Sequence, residues 1–170
     1  MSAERIGTAG RPDVVLVDGR SGSGKTELAR AMVVEKPELQ LVRMDDLYPG
    51  WDGLEAGSRH VHDAILAASV RRWQRWDWVA GEPAEWHMLD PFRPVLIEGC
   101  GALSRENRAL AAYAVWVELD EPARKARALA RDGETYAPHW DAWAAQEEDF
   151  IARERPQELA DIVVDGNETF

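Results

Sequence analysis

The hydrophobic positions fall into two repeating patterns. Short apolar runs rich in β-branched residues alternate with longer stretches in which apolar residues recur every three or four positions. Residues 14–17 form the first run. Residues 25–35 are a predicted helix, with Leu28, Ala29, Met32 and Val33 on one face and Pro37 beyond its end. Residues 39–44 alternate as a second strand. Residues 58–73 are predicted as a helix capped by Ser58, its stripe made of Val61, Ile65, Leu66, Val70 and Trp73. Residues 75–94 show no period and read as a long irregular segment carrying Trp76, Trp78 and Trp86. A third strand is expected at 95–99, a short helix at 104–111 and a fourth strand at 114–119. Asp120 and Pro122 start the next helix, and Asp132-Gly133 stops it. Residues 138–155 make the last helix. Trp140, Trp143, Ala144, Phe150 and Ile151 share one face, with Glu147 in its middle; an arginine of the preceding helix is its expected partner. Residues 160–166 close the series as a fifth strand. Strands alternating with helices predict an α/β fold of three layers around a parallel sheet of about five strands.

The turn after the first strand changes this picture from a fold to a chemistry. Gly19 is followed by Arg20, Ser21, Gly22 and Ser23, then by Gly24-Lys25-Thr26. This is the complete G-x-x-x-x-G-K-[ST] pattern between a strand and a helix. The glycines let backbone N–H groups approach phosphate oxygens. Lys25 can reach the β- and γ-phosphates, and the Thr26 hydroxyl can ligate Mg²⁺. The helix N-terminus adds partial positive charge. ATP with Mg²⁺ is the expected ligand.

Two acids, Asp45 and Asp46, follow the second strand, and Glu98 ends the third. In open α/β sheets ligands sit beyond the carboxyl ends of the strands, so these acids are expected at the same crevice as the loop. Asp45 is placed for a general base or a hydroxyl-binding group; Asp46 serves equally as a turn residue. Glu98 suits Mg²⁺ or the Thr26 hydroxyl. Cys100 reads as a small buried side chain without an evident partner. Arg124, Arg127 and Arg131 form a row on the fourth helix. Such a row is either a solvated face or a source of positive charge during phosphate transfer. The aromatic residues of 76–92 read partly as packing and partly as a wall for a flat substrate. His87 alone is more often a surface or hydrogen-bonded histidine.

Bulk properties narrow the setting. The chain has 170 residues, enough for one domain, and a formal net charge of −11. Such acidity disfavours general nucleic-acid binding. One cysteine rules out an internal disulfide and suggests a reducing compartment. No apolar stretch approaches membrane-spanning length. Residues 1–12 read as a flexible lead-in and 13–170 as a single domain. A cytoplasmic location is expected, with a small-molecule partner, no membrane and no nucleic acid; the sequence leaves the oligomeric state open.

Taken in order, these motifs resemble the uridine kinase family and related P-loop small-molecule kinases, over most of the chain from Val14 to Gly166. The Gly19–Thr26 loop resembles the family's ATP loop. Asp45-Asp46-Leu47-Tyr48 is similar to its D-x-F-Y segment, whose first Asp is taken as the base. Trp76-Asp77-Trp78 is similar to its Y-D-F, which helps hold the nucleoside base. Ile97-Glu98-Gly99 resembles F-E-G, and Arg127 to Asp132 resembles the arginines that open its lid. The resemblance implies a kinase that moves the ATP γ-phosphate to a hydroxyl of a nucleoside or other small acceptor. Lys25, Asp45, Arg127 and Arg131 would be catalytic. Asp46, Tyr48, Trp76, Asp77, Trp78 and His87 would hold the acceptor, and Thr26 and Glu98 the metal. Residues 45–92 would form the substrate side, and residues 131–138 a short lid. Two segments depart from the family: Gly133-Glu134-Thr135-Tyr136 replaces further lid arginines, and Val79-Ala80-Gly81-Glu82 replaces the His and Arg that recognise a pyrimidine. A P-loop ATPase or NTP-binding regulatory protein, or a nucleoside-monophosphate kinase, are the competing readings. No N-K-x-D or D-x-x-G signature of a GTPase is present.

Overall fold

A computed structural model describes residues 10–170. Five parallel strands form the central sheet in the order β2-β5-β1-β6-β7. They are β1 (Val14–Gly19), β2 (Gln40–Arg43), β5 (Val95–Glu98), β6 (Tyr113–Glu118) and β7 (Ile162–Asp165). Alternate strand residues serve opposite faces, and this divides the core. Val17, Leu96, Val115 and Val117 pack with Ala29 of helix α1 (Lys25–Glu35). Val14, Leu16, Val42, Ile97 and Ala114 face the other layer. That layer holds α2 (Leu54–His60), α3 (Arg105–Ala109), α4 (Glu121–Tyr136) and α5 (Trp140–Glu154), followed by α6 (Pro156–Leu159). Five strands, parallel pairing and three layers match the sequence expectation.

Two elements differ from it. The helix expected over residues 58–73 starts earlier and stops sooner. α2 begins at Leu54, and its continuation through Val61–Leu66 has a wider, π-type turn. Ser58 is buried within the helix and caps nothing, while Val70 is exposed and Trp73 lies in a strand. The segment expected to be irregular is a β-hairpin, β3 (Arg72–Asp77) against β4 (Glu82–Met88). Its register shifts between Gln74 and Trp76. That bulge breaks the two-residue alternation by which a strand is read.

Residues 1–9 of the expected lead-in lie outside the described residues. Arg11 donates to the Leu66 and Ala68 carbonyl oxygens, and Arg71 donates to that of Pro12. Among the described residues no helix is long and apolar enough to cross a membrane.

Candidate active site

The loop between β1 and α1 takes its shape from its glycines. Gly22 has φ +80° and Gly24 φ +105°, the left-handed region where L side chains are strained. At Gly22 a Cβ would also meet the Arg124 carbonyl oxygen at 2.1 Å. Lys25 opens α1 and is buried. Its ammonium donates to the Arg20 carbonyl at 3.0 Å and closes the loop on itself. Burial would push the pKa of this group down, but Cys100, Glu98, Glu147 and Asp18 outweigh it, so the net direction is up. Lys25 is therefore a fixed positive charge.

Asp18 lies beneath the loop, fully buried, and the sequence reading missed it. Its carboxylate accepts from the N–H groups of Gly19 (2.6 Å), Gly101 (3.3 Å) and Leu103 (2.8 Å). It thereby joins the end of β1 to the turn after β5. Burial pushes its carboxyl up to about 7, against those donors and Lys25. An acid inside an apolar strand immediately before the loop was the available signal.

On the sheet side, Thr26 Oγ1 donates to Glu98 Oε1 at 3.1 Å. Glu98 is buried at the end of β5. Arg43 Nε donates to the same oxygen at 3.2 Å, and Arg43 Nη2 reaches Asp45 Oδ2 at 3.3 Å. Arg43 thus bridges two carboxylates at the strand ends, a role not anticipated from sequence. One hydroxyl and one buried carboxylate suit Mg²⁺, which takes few protein ligands and keeps phosphate and water oxygens. Among the described residues no group of three or more His, Cys, Asp or Glu is placed to hold a metal by itself. Such a pair fits an ion that arrives with its nucleotide.

A cavity of about 890 Å³ opens over these groups. Lys25, Thr26, Asp45, Tyr48, Trp78, Glu98, Arg127 and Arg131 line it, as do Trp51, Tyr136, Trp143 and residues 166–170. The second group was not foreseen. Trp51 sits where four rings meet, 4.2 Å from His139 in a parallel stack and 5.2 Å from Trp78. Gln146 of α5 fixes it there, donating to the Trp51 carbonyl at 2.7 Å and accepting from the Leu54 N–H at 3.3 Å. The polar ends of the other rings are engaged within the protein. Tyr48 OH donates to the Cys100 carbonyl (2.7 Å), Trp78 Nε1 to the Asp45 carbonyl (2.8 Å) and Tyr136 OH to Ser21 Oγ (2.9 Å).

Other expected residues lie elsewhere. Asp46, Trp76, Asp77 and His87 do not line the cavity. Asp77 accepts from the Val79 and Ala80 N–H groups and closes the hairpin turn. His87 stacks on Trp73 at 4.2 Å. Within the loop, Ser21, Gly22 and Gly24 reach the cavity wall, whereas Gly19, Arg20 and Ser23 do not. Of the arginine row, Arg127 and Arg131 face the cavity, with Arg127 donating to the Gly166 carbonyl at 2.7 Å and Arg131 to Asp132 at 2.8 Å. Arg124 is buried instead and donates to the Leu119 carbonyl at 2.9 Å. The helix is broken at Gly133 (φ 52°, ψ −128°), within the expected lid. Glu147 is buried, but its arginine partner is Arg20 of the loop at 3.3 Å, not one from α4. Cys100 has a partner after all, since its thiol donates to Glu147 at 3.0 Å.

Neither the protein-family models nor the curated proteins include a match to this chain. Solved structures do match. A protein described as a possible uridine kinase from Bacillus stearothermophilus superposes with a TM-score of 0.63 at 22% identity, covering 94% of this chain and 91% of its own. A candidate fructose transport system kinase from Silicibacter sp. TM1040 gives 0.58 at 19% identity, covering 92% and 90%. A gluconokinase from Sinorhizobium meliloti 1021 gives 0.51 at 18% identity, covering 92% and 84%. The fold is thus that of uridine kinase-like and related P-loop kinases.

Proposed function

We propose that this chain is an ATP-dependent phosphotransferase acting on a hydroxyl of a nucleoside or other small acceptor. One observation carries the reading. The phosphate loop, through Ser21, Gly22, Gly24, Lys25 and Thr26, shares one cavity with a strand-end carboxylate, Asp45, and with Arg127 and Arg131. The loop amides and Lys25 hold the triphosphate. Thr26 and Glu98 would hold Mg²⁺, which when bound would offset phosphate charge. Asp45 orients the acceptor hydroxyl and takes its proton as the new O–P bond forms and the bond to the ADP oxygen breaks. Arg127 and Arg131 meet the negative charge on the transferring group. The expected setting remains the cytoplasm.

The acceptor side supports a flat or apolar-faced molecule. With the Tyr48, Trp78 and Tyr136 polar atoms occupied, these residues offer an acceptor mainly ring faces. The monophosphate-kinase reading is weaker for a specific reason. Arg59, Arg71, Arg72 and Arg75 are absent from the cavity wall; Arg75 pairs with Glu85 and Arg59 with Glu55. An acceptor phosphate would find none of these four arginines on the cavity wall. The test is ADP release from ATP across a panel of nucleosides, sugars and amino alcohols. Acceptor-stimulated release supports the kinase. Tight ATP binding with no stimulation by any compound favours the ATPase or regulatory reading.

A further inference from the structure

Each polar atom of Ser21 has a partner on α4, which runs into the expected lid, or on α5, which follows it. Its N–H donates to Glu147 Oε2 at 2.7 Å, its carbonyl accepts from Arg124 Nη1 at 3.4 Å, and its hydroxyl accepts from Tyr136 OH at 2.9 Å. Arg124 and Tyr136 belong to α4, and Glu147 to α5. Glu147 is buried and fully used: Oε2 also accepts the Cys100 thiol at 3.0 Å, and Oε1 accepts Arg20 Nε at 3.3 Å. None of the proposed chemistry requires a carboxylate at this depth, and burying one is costly unless it is paired and hydrogen-bonded. Its effect on the loop is directional. The Ser21 N–H is committed to Glu147, and that of Ser23 to the Arg20 carbonyl at 3.1 Å. Phosphate is left to the remaining loop amides.

We infer that Glu147 is a positioning residue for the phosphate loop, and that Ser21 is the joint through which α4 and α5 set the loop's shape. The inference rests on the nucleotide-binding reading above. Tyr136 lies three residues beyond the Gly133 break in α4, so a movement of the lid reaches the Ser21 hydroxyl directly. By reciprocity, a nucleotide that orders the loop also orders the lid.

A double-mutant cycle on the full chain tests this. Glu147→Gln, Tyr136→Phe and the double variant are titrated with Mg·ATP, and each is melted without nucleotide. Gln replaces one acceptor oxygen with an NH₂ that faces other donors. Each single change is expected to weaken ATP binding about tenfold. The double change should be little worse than the weaker single, because both act through Ser21. If Glu147→Gln does not fold, Glu147→Asp, which keeps the charge but shortens the reach to the Ser21 N–H, takes its place in the cycle with the same expected non-additivity. A merely structural Glu147 would lower the melting temperature and leave the Kd of the folded protein unchanged, overturning the inference. Losses that multiply to about a hundredfold in the double variant would also overturn it. A wild-type chain that does not bind Mg·ATP overturns the nucleotide reading, and this inference with it. A wild-type chain that binds normally beside indifferent variants overturns the inference alone.

Discussion

Arg43 and Glu98 stand opposite each other in the register of β2 and β5, joined Nε to Oε1 at 3.2 Å. The same Glu98 oxygen accepts the Thr26 hydroxyl. This buried carboxylate is thus poised between an arginine and the helix that follows the phosphate loop. A Mg²⁺ ion held there would share it with both. Glu98→Gln keeps the shape and removes the charge. It is expected to raise the Mg²⁺ concentration for half-maximal turnover about tenfold, read from rate against metal concentration at fixed ATP.

Lys25 is the cation among Cys100, Glu98, Glu147 and Asp18. Lys25→Ala should reduce turnover by about a hundredfold or more. It should also lower the melting temperature near neutral pH, because buried acids lose their counter-charge. Turnover assays and thermal melts at the same pH check both outcomes.

In the proposed reaction Asp45 acts on the acceptor hydroxyl and not on ATP. Asp45→Asn should cut kcat by about 10²–10⁴ while leaving the Kd for Mg·ATP within about twofold. Unimpaired kcat in this variant would remove Asp45 from the reaction.

Asp18 gives a pH dependence with a definite sign. Burial raises its folded-state carboxyl from 3.8 to about 7. Between those values the folded chain holds a proton that the unfolded chain has lost. The stability from this group is therefore complete below about pH 4 and is lost as pH rises toward about 7. The size is at most about 4 kcal/mol. Melting temperature measured from pH 5 to 8 should show this downward contribution, and Asp18→Asn should flatten it.

Much of the fold was legible because its signals are local. The buried parallel strands read as apolar runs, and the phosphate loop reads from eight consecutive residues. The hairpin was not legible, because β4 places two residues, Ala84 and Glu85, opposite the single Arg75 of β3, and the extra residue scrambles the alternation. Trp73 falls at helical spacing from Val70, so its spacing alone extends the preceding helix. At the site, Lys25, Thr26, Asp45 and Glu98 came from motif and strand-end position. Tyr136 and Trp51 did not, since they reach the cavity through the end of α4 and the turn before α2; Glu147 was legible as a buried acid needing an arginine, but not its contact with the loop. Such long-range contacts leave no trace in spacing. The segment 76–78 divides for a similar reason: Trp78 reaches the Asp45 carbonyl, whereas Asp77 closes its own turn.

The fate of the γ-phosphate decides between a kinase and an ATPase. The chain is incubated with γ-labelled ATP, Mg²⁺ and the acceptor panel, and the label is traced. Label is expected in a phosphate ester of a small alcohol and is expected to be lost in Asp45→Asn. Label found only in inorganic phosphate, at a rate that no acceptor changes, would contradict the kinase reading.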